Sequence, residues 1–208
     1  MINYKTHYYP PLLAFLLFAV FVVLSIVPND REVWIVEVIP VVGIFLLLVF
    51  TYNRFKFTNL SYSFMAIGLF WHTIGAHYTF AQVPFDFITE MFDFQRNNYD
   101  RVGHFIIGFY AYPIAEFMGK RRYTSFIVAM LFALFFIMSI ACGYEIVEWI
   151  YADFEGGNVG LEFLGSQGDN WDAQKDMLAN TLGAFVVLWL YWYLRPDKNK
   201  GKKWKIKK

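Results

Sequence analysis

The sequence predicts an all-α, polytopic membrane protein: a bundle of six transmembrane helices with both termini on the cytoplasmic side. Three observations carry this. Hydrophobic residues make up 58% of the chain and charged residues only 17%, against about 25% charge in a soluble domain. The apolar residues fall in six long blocks, as repeated crossing of a bilayer core about 30 Å thick requires. Lys and Arg are shared unequally among the connecting segments, and that bias sets orientation.

The blocks define helices at about 10–27, 33–52, 60–80, 102–118, 124–151 and 177–194. The first has no small-x-small cleavage site after it, so it reads as an uncleaved span. Pro28-Asn29-Asp30 is a turn before the second, which carries Glu37 and Pro40. The third holds His72 and His77, and the fourth is entered through Asp100, Arg101 and His104. The fifth ends near Glu145 and Glu148, and the sixth follows Asp172 and Asp176. Residues 1–195 are expected to form one membrane domain, and 196–208 a basic cytoplasmic tail. The single Cys142 excludes an internal disulfide, and its apolar setting does not suggest a reactive thiol.

With the N-terminus inside, the cytoplasmic segments hold fourteen of the eighteen basic residues: Lys5, Arg54, Lys56, Lys120, Arg121, Arg122, Arg195 and seven in the tail. Only Arg31, Arg96, Arg101 and Lys175 lie outside, together with twelve of the seventeen acidic residues. The tail is read as an anchor on anionic lipid, not as a nucleic-acid-binding segment. Two outer segments are long. Residues 81–99 carry Phe85, Ile88, Met91 and Phe92 at near-helical spacing, which predicts a short amphipathic helix in the interface. Residues 152–171 carry five glycines and are expected to be irregular, as a connector or a lid.

Counted at about 1.5 Å per residue from the cytoplasmic ends, His104 sits about 24 Å up, Asn180 about 21 Å, Asp176 about 27 Å, Asp100 about 30 Å and Glu145 about 32 Å. Ionisable groups from five helices therefore gather in one layer near the outer leaflet. The inner half holds only Glu116, with Lys120 four residues on to pair with it. Intramembrane charges are costly and mark sites. Asp100, Arg101, Glu145, Glu148 and Asn180 are candidate catalytic residues, and His104, Asp172 and Asp176 candidate ligands of a divalent metal such as Zn²⁺ or Mn²⁺. Structural alternatives stand beside these. Asp172 and Asp176 suit the start of a helix dipole, Asn180 suits a bond between helices, and Arg101 suits an ion pair with Glu145 or Glu148. His72 and His77 suit packing, and Glu37 suits the backbone groups that Pro40 leaves open.

Three short patterns resemble the VanZ-like membrane proteins. Asp100-Arg101-Val102-Gly103-His104-Phe105 is similar to that family's Asp-Lys-x-x-His-Phe. Glu145-Ile146-Val147-Glu148 stands for Glu-x-x-Gln, with Glu148 in place of the Gln. Asp176 through Asn180 to Gly183 matches Asp-x-x-x-Asn-x-x-Gly. Over most of residues 20–195, including 34–42 and 144–149, the chain more closely resembles the YjdF family of uncharacterised bacterial inner-membrane proteins. That resemblance implies an inner-membrane location, and the VanZ likeness implies envelope or glycopeptide-antibiotic chemistry. Three functions follow as expectations: an enzyme acting at the outer leaflet on a lipid-linked or envelope substrate, with or without a metal; a small transporter; or an envelope-binding scaffold. The absence of repeats and of a polar inward path weighs against transport.

Overall fold

A computed structural model describes residues 8–121 and 123–194. The expected basic tail, with Lys5, His7 and Arg122, lies outside the described residues. The chain is all-α among those residues. Three helices are long and apolar enough to cross a membrane: α2 (Arg31–Thr51), α7 (Phe126–Glu155) and α9 (Asp172–Leu194). A fourth, α1 (Tyr9–Leu24), is apolar but shorter.

Local chemistry sets the helix ends. Pro10 and Pro11 open α1, where a missing N–H costs nothing. Helix α1 stops at Leu24, short of the expected 27, because the Arg31 guanidinium takes the carbonyls of Ser25 and Ile26, each at 2.8 Å. Asp30 caps α2 by accepting from Glu32 N at 2.8 Å and Val33 N at 2.9 Å. Helix α3 (Asn59–His77) starts on Thr58 and ends before two left-handed residues, Thr79 (φ 57°) and Phe80 (φ 51°). The amphipathic segment contributes only the short α4 (Asp86–Met91), with Phe87 and Met91 exposed.

The fourth expected helix is longer and broken. It runs as α5 (Tyr99–Ile107), a 3-10 turn (Gly108–Tyr110) and α6 (Ala111–Arg121). Pro113 has no N–H to offer the Phe109 carbonyl four residues back, which favours the tighter turn at that point. The glycine-rich loop is irregular only over residues 165–171. Helix α7 continues to Glu155, and α8 (Gly157–Leu164) folds back onto it. Gly156 (φ 64°) and Gly157 (φ 53°) make the reversal, and Gly160 has backbone of Ala152 where a Cβ would sit. The glycines shape a helical hairpin.

Helix α9 is central, packed on α5, the 3-10 turn, α6 and α7. Helix α3 packs on α1, α2, α5 and α6. The core between α6, α7 and α9 joins small residues, Ala111, Ala115, Ala133 and Ala184, to the rings of Tyr112 and Tyr191. Small side chains let helices approach in a setting where lipid offers no hydrophobic drive for association. The closest approach is between α5 and α9. A Cβ on Gly183 would collide with the Phe105 carbonyl oxygen, and one on Gly108 would lie 2.6 Å from the Ala184 nitrogen. At the opposite end Glu116, fully buried, pairs with Lys120 and receives Ser61, the Thr58 N–H and the Thr58 hydroxyl, the last two at 2.8 Å.

Gly183→Ala and Gly108→Ala should each destabilise the detergent-solubilised protein by about 3 kcal/mol or more, since backbone cannot yield as a side chain can. Gly143→Ala, with nothing within 4 Å, should be neutral or stabilising by about 0.5–1 kcal/mol. Melting temperatures of the three variants check this.

Candidate functional site

The crossing of α5 and α9 sets two stripes face to face. Asp100, His104 and Gly108 are four apart on one; Asp172, Asp176 and Asn180 are four apart on the other. The Asn180 amide donates to the Asp176 carbonyl at 3.0 Å and to His104 Nδ1 at 2.7 Å. The first bond fixes which amide atom is nitrogen, because a carbonyl only accepts. The second then makes Nδ1 an acceptor and leaves the ring proton on Nε2. That nitrogen faces Asp100 Oδ1 at 3.6 Å and Glu145 Oε1 at 3.8 Å. Both distances exceed a hydrogen bond, so the three groups surround a point that none of them fills. Glu145 Oε1 is buried without a hydrogen-bond partner among the described residues, and the Glu145 side chain is 9% exposed.

Above this layer lies an ion-pair lattice. Asp172 meets both Arg96 and Arg101. Arg101 also donates to Asp176 Oδ1 at 3.1 Å and Asp169 Oδ2 at 3.3 Å, and Lys175 holds Asp169 at 2.7 Å. Arg96 further binds the carbonyls of Gly165 and Ser166, tying the end of the α7–α8 hairpin to the lattice. Arg101 therefore pairs with aspartates of α9 and the loop before it. The expected pair with Glu145 or Glu148 does not form, because those carboxylates sit on α7, behind His104.

Beneath the lattice is a cavity of about 120 Å³ lined by Glu37, Asp100, His104, Tyr144, Glu148 and Asn180 among others. Its volume holds several waters. Glu37 is buried, with its carboxylate 2.9 Å from the Tyr144 hydroxyl and 3.3 Å from His72 Nε2. Its partners are these side chains, not the backbone opened by Pro40. His77 binds the Leu24 carbonyl at 2.7 Å and joins α3 to α1, a packing role.

All eight candidate residues lie at this end of the bundle, but in different company. Asp100, His104 and Asp176 bring ligand atoms within 4.8 Å of one another. Asp172, expected with His104 and Asp176 as a ligand, is taken up by the two arginines, and Asp100 stands in its place. Glu148 lines the cavity beside Tyr144. Sequence reasoning missed three residues. Arg96 was legible only as an outer cation. Tyr144 lies one turn before Glu148, a signal at helical spacing. Thr79 had no signal, since its placement depends on the left-handed end of α3.

Asp169, outside the helices, shows the electrostatics plainly. The Lys175 ammonium, and then the Trp171 N–H, hold its carboxyl down to about 2. A depressed folded value means the contribution is complete above the ordinary 3.8 and is lost as pH falls from there towards about 2. Asp169→Asn should thus lower the melting temperature by a constant margin from about pH 5 to 8, with the gap to wild type closing below about pH 4. A gap that holds at low pH would show that Asp169 acts by other means.

The chain matches the model of the family described as "Predicted membrane protein (DUF2238)" over residues 9–197. It is 32% identical over 168 residues to the inner membrane protein YjdF of Escherichia coli (strain K12), covering 77% of this chain and 78% of that relative. No solved structure matches. With three candidate spans and this relative, the chain is a multi-pass protein of the inner membrane. It belongs to the DUF2238 family of membrane proteins.

Proposed function

We propose that the chain is a membrane-embedded hydrolase or transferase, acting at the outer leaflet on a lipid-linked or envelope substrate by carboxylate acid–base chemistry. In this reading α1, α2, α3, α5–α6, α7 and α9 are six spans of one domain over residues 1–195, with both termini cytoplasmic. The charge bias supports that orientation: Glu116, Lys120 and Arg121 cluster at one end, and the acid layer sits at the other. Residues 196–208 would then lie on anionic lipid.

The observation that carries the chemistry is the unpartnered Glu145 Oε1, 3.8 Å from His104 Nε2, the nitrogen that bears the ring proton. A substrate oxygen placed among Nε2, Asp100 and Glu145 receives a hydrogen bond from a neutral imidazole, as an electrophile rather than a base. Glu145 takes a proton from water as the water oxygen forms its bond to the acyl carbon or phosphorus. Asp100, protonated, returns a proton to the departing alkoxide as that bond breaks. Asn180 positions His104, and Arg101 holds Asp176 away from the reacting centre. Packed apolar residues of α6, α7 and α9 leave no polar path below among the described residues, which favours a one-sided site over a channel.

A second reading, a Zn²⁺ or Mn²⁺ centre on Asp100, His104 and Asp176, is favoured by their mutual proximity. It requires the Nε2 lone pair, so Asn180 must turn its oxygen to Nδ1 and against the Asp176 carbonyl. It also requires that Arg101 release Asp176. The residues present suit this reading less well.

Product release from radiolabelled inner-membrane lipids separates the two. His104→Ala and Glu145→Gln should each lower the rate by about 10²–10⁴-fold, with unchanged melting temperature and no loss on chelator treatment. Stoichiometric metal that disappears in Asp100→Asn would favour the metal centre. Wild-type rates in both variants would remove the enzyme reading.

A further inference from the structure

The cavity does not end at its acid layer. Helix α2 presents one continuous face: Glu37, Val41 and Ile44 line the polar cavity, and Phe45, Leu48 and Tyr52 line a second, apolar one of about 220 Å³. Leu69 of α3 lines both. The apolar cavity is completed by α1 and opens past Val49, which is 49% exposed on the outer surface of the bundle. From Glu37 to Tyr52 the face runs about 22 Å, longer than the hydrocarbon of one leaflet, about 15 Å.

The polar end has its own chemistry. Glu37, Asp100 and Glu148 enter it, whereas Arg96 and Arg101 are committed to the lattice above. Trp71, Phe80 and Tyr110 supply aromatic surface to the same space. Carboxylates with aromatic faces recognise an ammonium group. A further group points to a ligand: Thr79 lines this cavity, is 2% exposed, and its hydroxyl has no hydrogen-bond partner among the described residues. It is held there by a β-branched residue in the left-handed region, a conformation retained against its steric cost.

We infer that the two cavities form one lipid site: an ammonium-bearing headgroup sits between Glu37 and Glu148, and an acyl chain lies along α2 in the groove past Leu69. This rests on the proposed function by naming the substrate class of its site. The occupant is a bilayer lipid with a terminal ammonium, such as phosphatidylethanolamine, and anionic lipid without an amine is excluded by the unbalanced carboxylates.

The full chain, reconstituted in nanodiscs of equal phosphatidylethanolamine and phosphatidylglycerol and re-extracted, tests this by its retained lipid. The amine lipid should be retained about tenfold over phosphatidylglycerol. Glu37→Gln with Glu148→Gln should erase the preference, and Val49→Trp, at an exposed position that the core does not need, should lower retention of both lipids. Equal retention by wild type, preference for phosphatidylglycerol, or full retention by Val49→Trp would overturn the assignment. Glu145→Gln separates the two ideas, because Glu145 does not line the cavity. Turnover lost with lipid preference intact supports both. Turnover kept with preference intact removes the acid–base chemistry alone.

Discussion

The contact on which the rest of the site depends is backbone against backbone, where α5 crosses α9 at Gly108 and Gly183. No side chain fits between them. That forces the register: with Gly108 against Gly183, the residue one turn up α5 is His104 and its opposite on α9 is Asn180. One further turn up brings Asp100 and Asp176 to the same level, and Arg101 reaches across to Asp176. In lipid, helix association comes from close packing and interhelical hydrogen bonds. Here the close packing supplies the geometry, and the His104–Asn180 bond uses it.

Around that crossing the polar groups are sorted by layer. Permanent cations and three aspartates neutralise one another at the outer edge, where water reaches. Beside them, Glu37, Asp100, Glu145 and Glu148 form no ion pair with Lys or Arg among the described residues, and their near partners are imidazoles and a tyrosine hydroxyl. Buried carboxylates without cations are expensive, so a fold that keeps three of them, Glu37, Asp100 and Glu148, around one cavity retains them at a cost in stability. A purely structural network would have carried the arginines one turn deeper. The arrangement instead leaves an open cavity, two unpartnered oxygens and a donor proton on His104.

Much of this was legible in the sequence, for reasons that separate cleanly. The i, i+4 spacing of Asp176 and Asn180, and of Asp100 and His104, placed each pair on one helix face. Counting residues from the cytoplasmic ends put all of them at one depth. What spacing on a single helix does not contain is rotation between helices. Hence Arg101 pairs with aspartates rather than with Glu145 or Glu148, and Asp100 rather than Asp172 lies beside His104 and Asp176. The five glycines of residues 156–168 read as an irregular loop, because sequence alone does not distinguish a glycine that turns the chain from one that admits a neighbour. Gly156 and Gly157 do the first, and Gly160 does the second. The break in the fourth helix was not read from the sequence, although Pro113 carries its signal in the hydrogen bond it withholds.

The account stands on the proton of one imidazole. Nitrogen-15 spectra of the histidine-labelled protein, with His104 assigned by its loss in His104→Gln, report which ring nitrogen carries that proton. The crossing and the Asn180 bridge predict a bare Nδ1 and a protonated Nε2 at neutral pH, with this pattern lost in Asn180→Ala. A proton on Nδ1 in the wild-type protein would contradict the account, and with it the placement of Glu145 and Asp100 as acid and base.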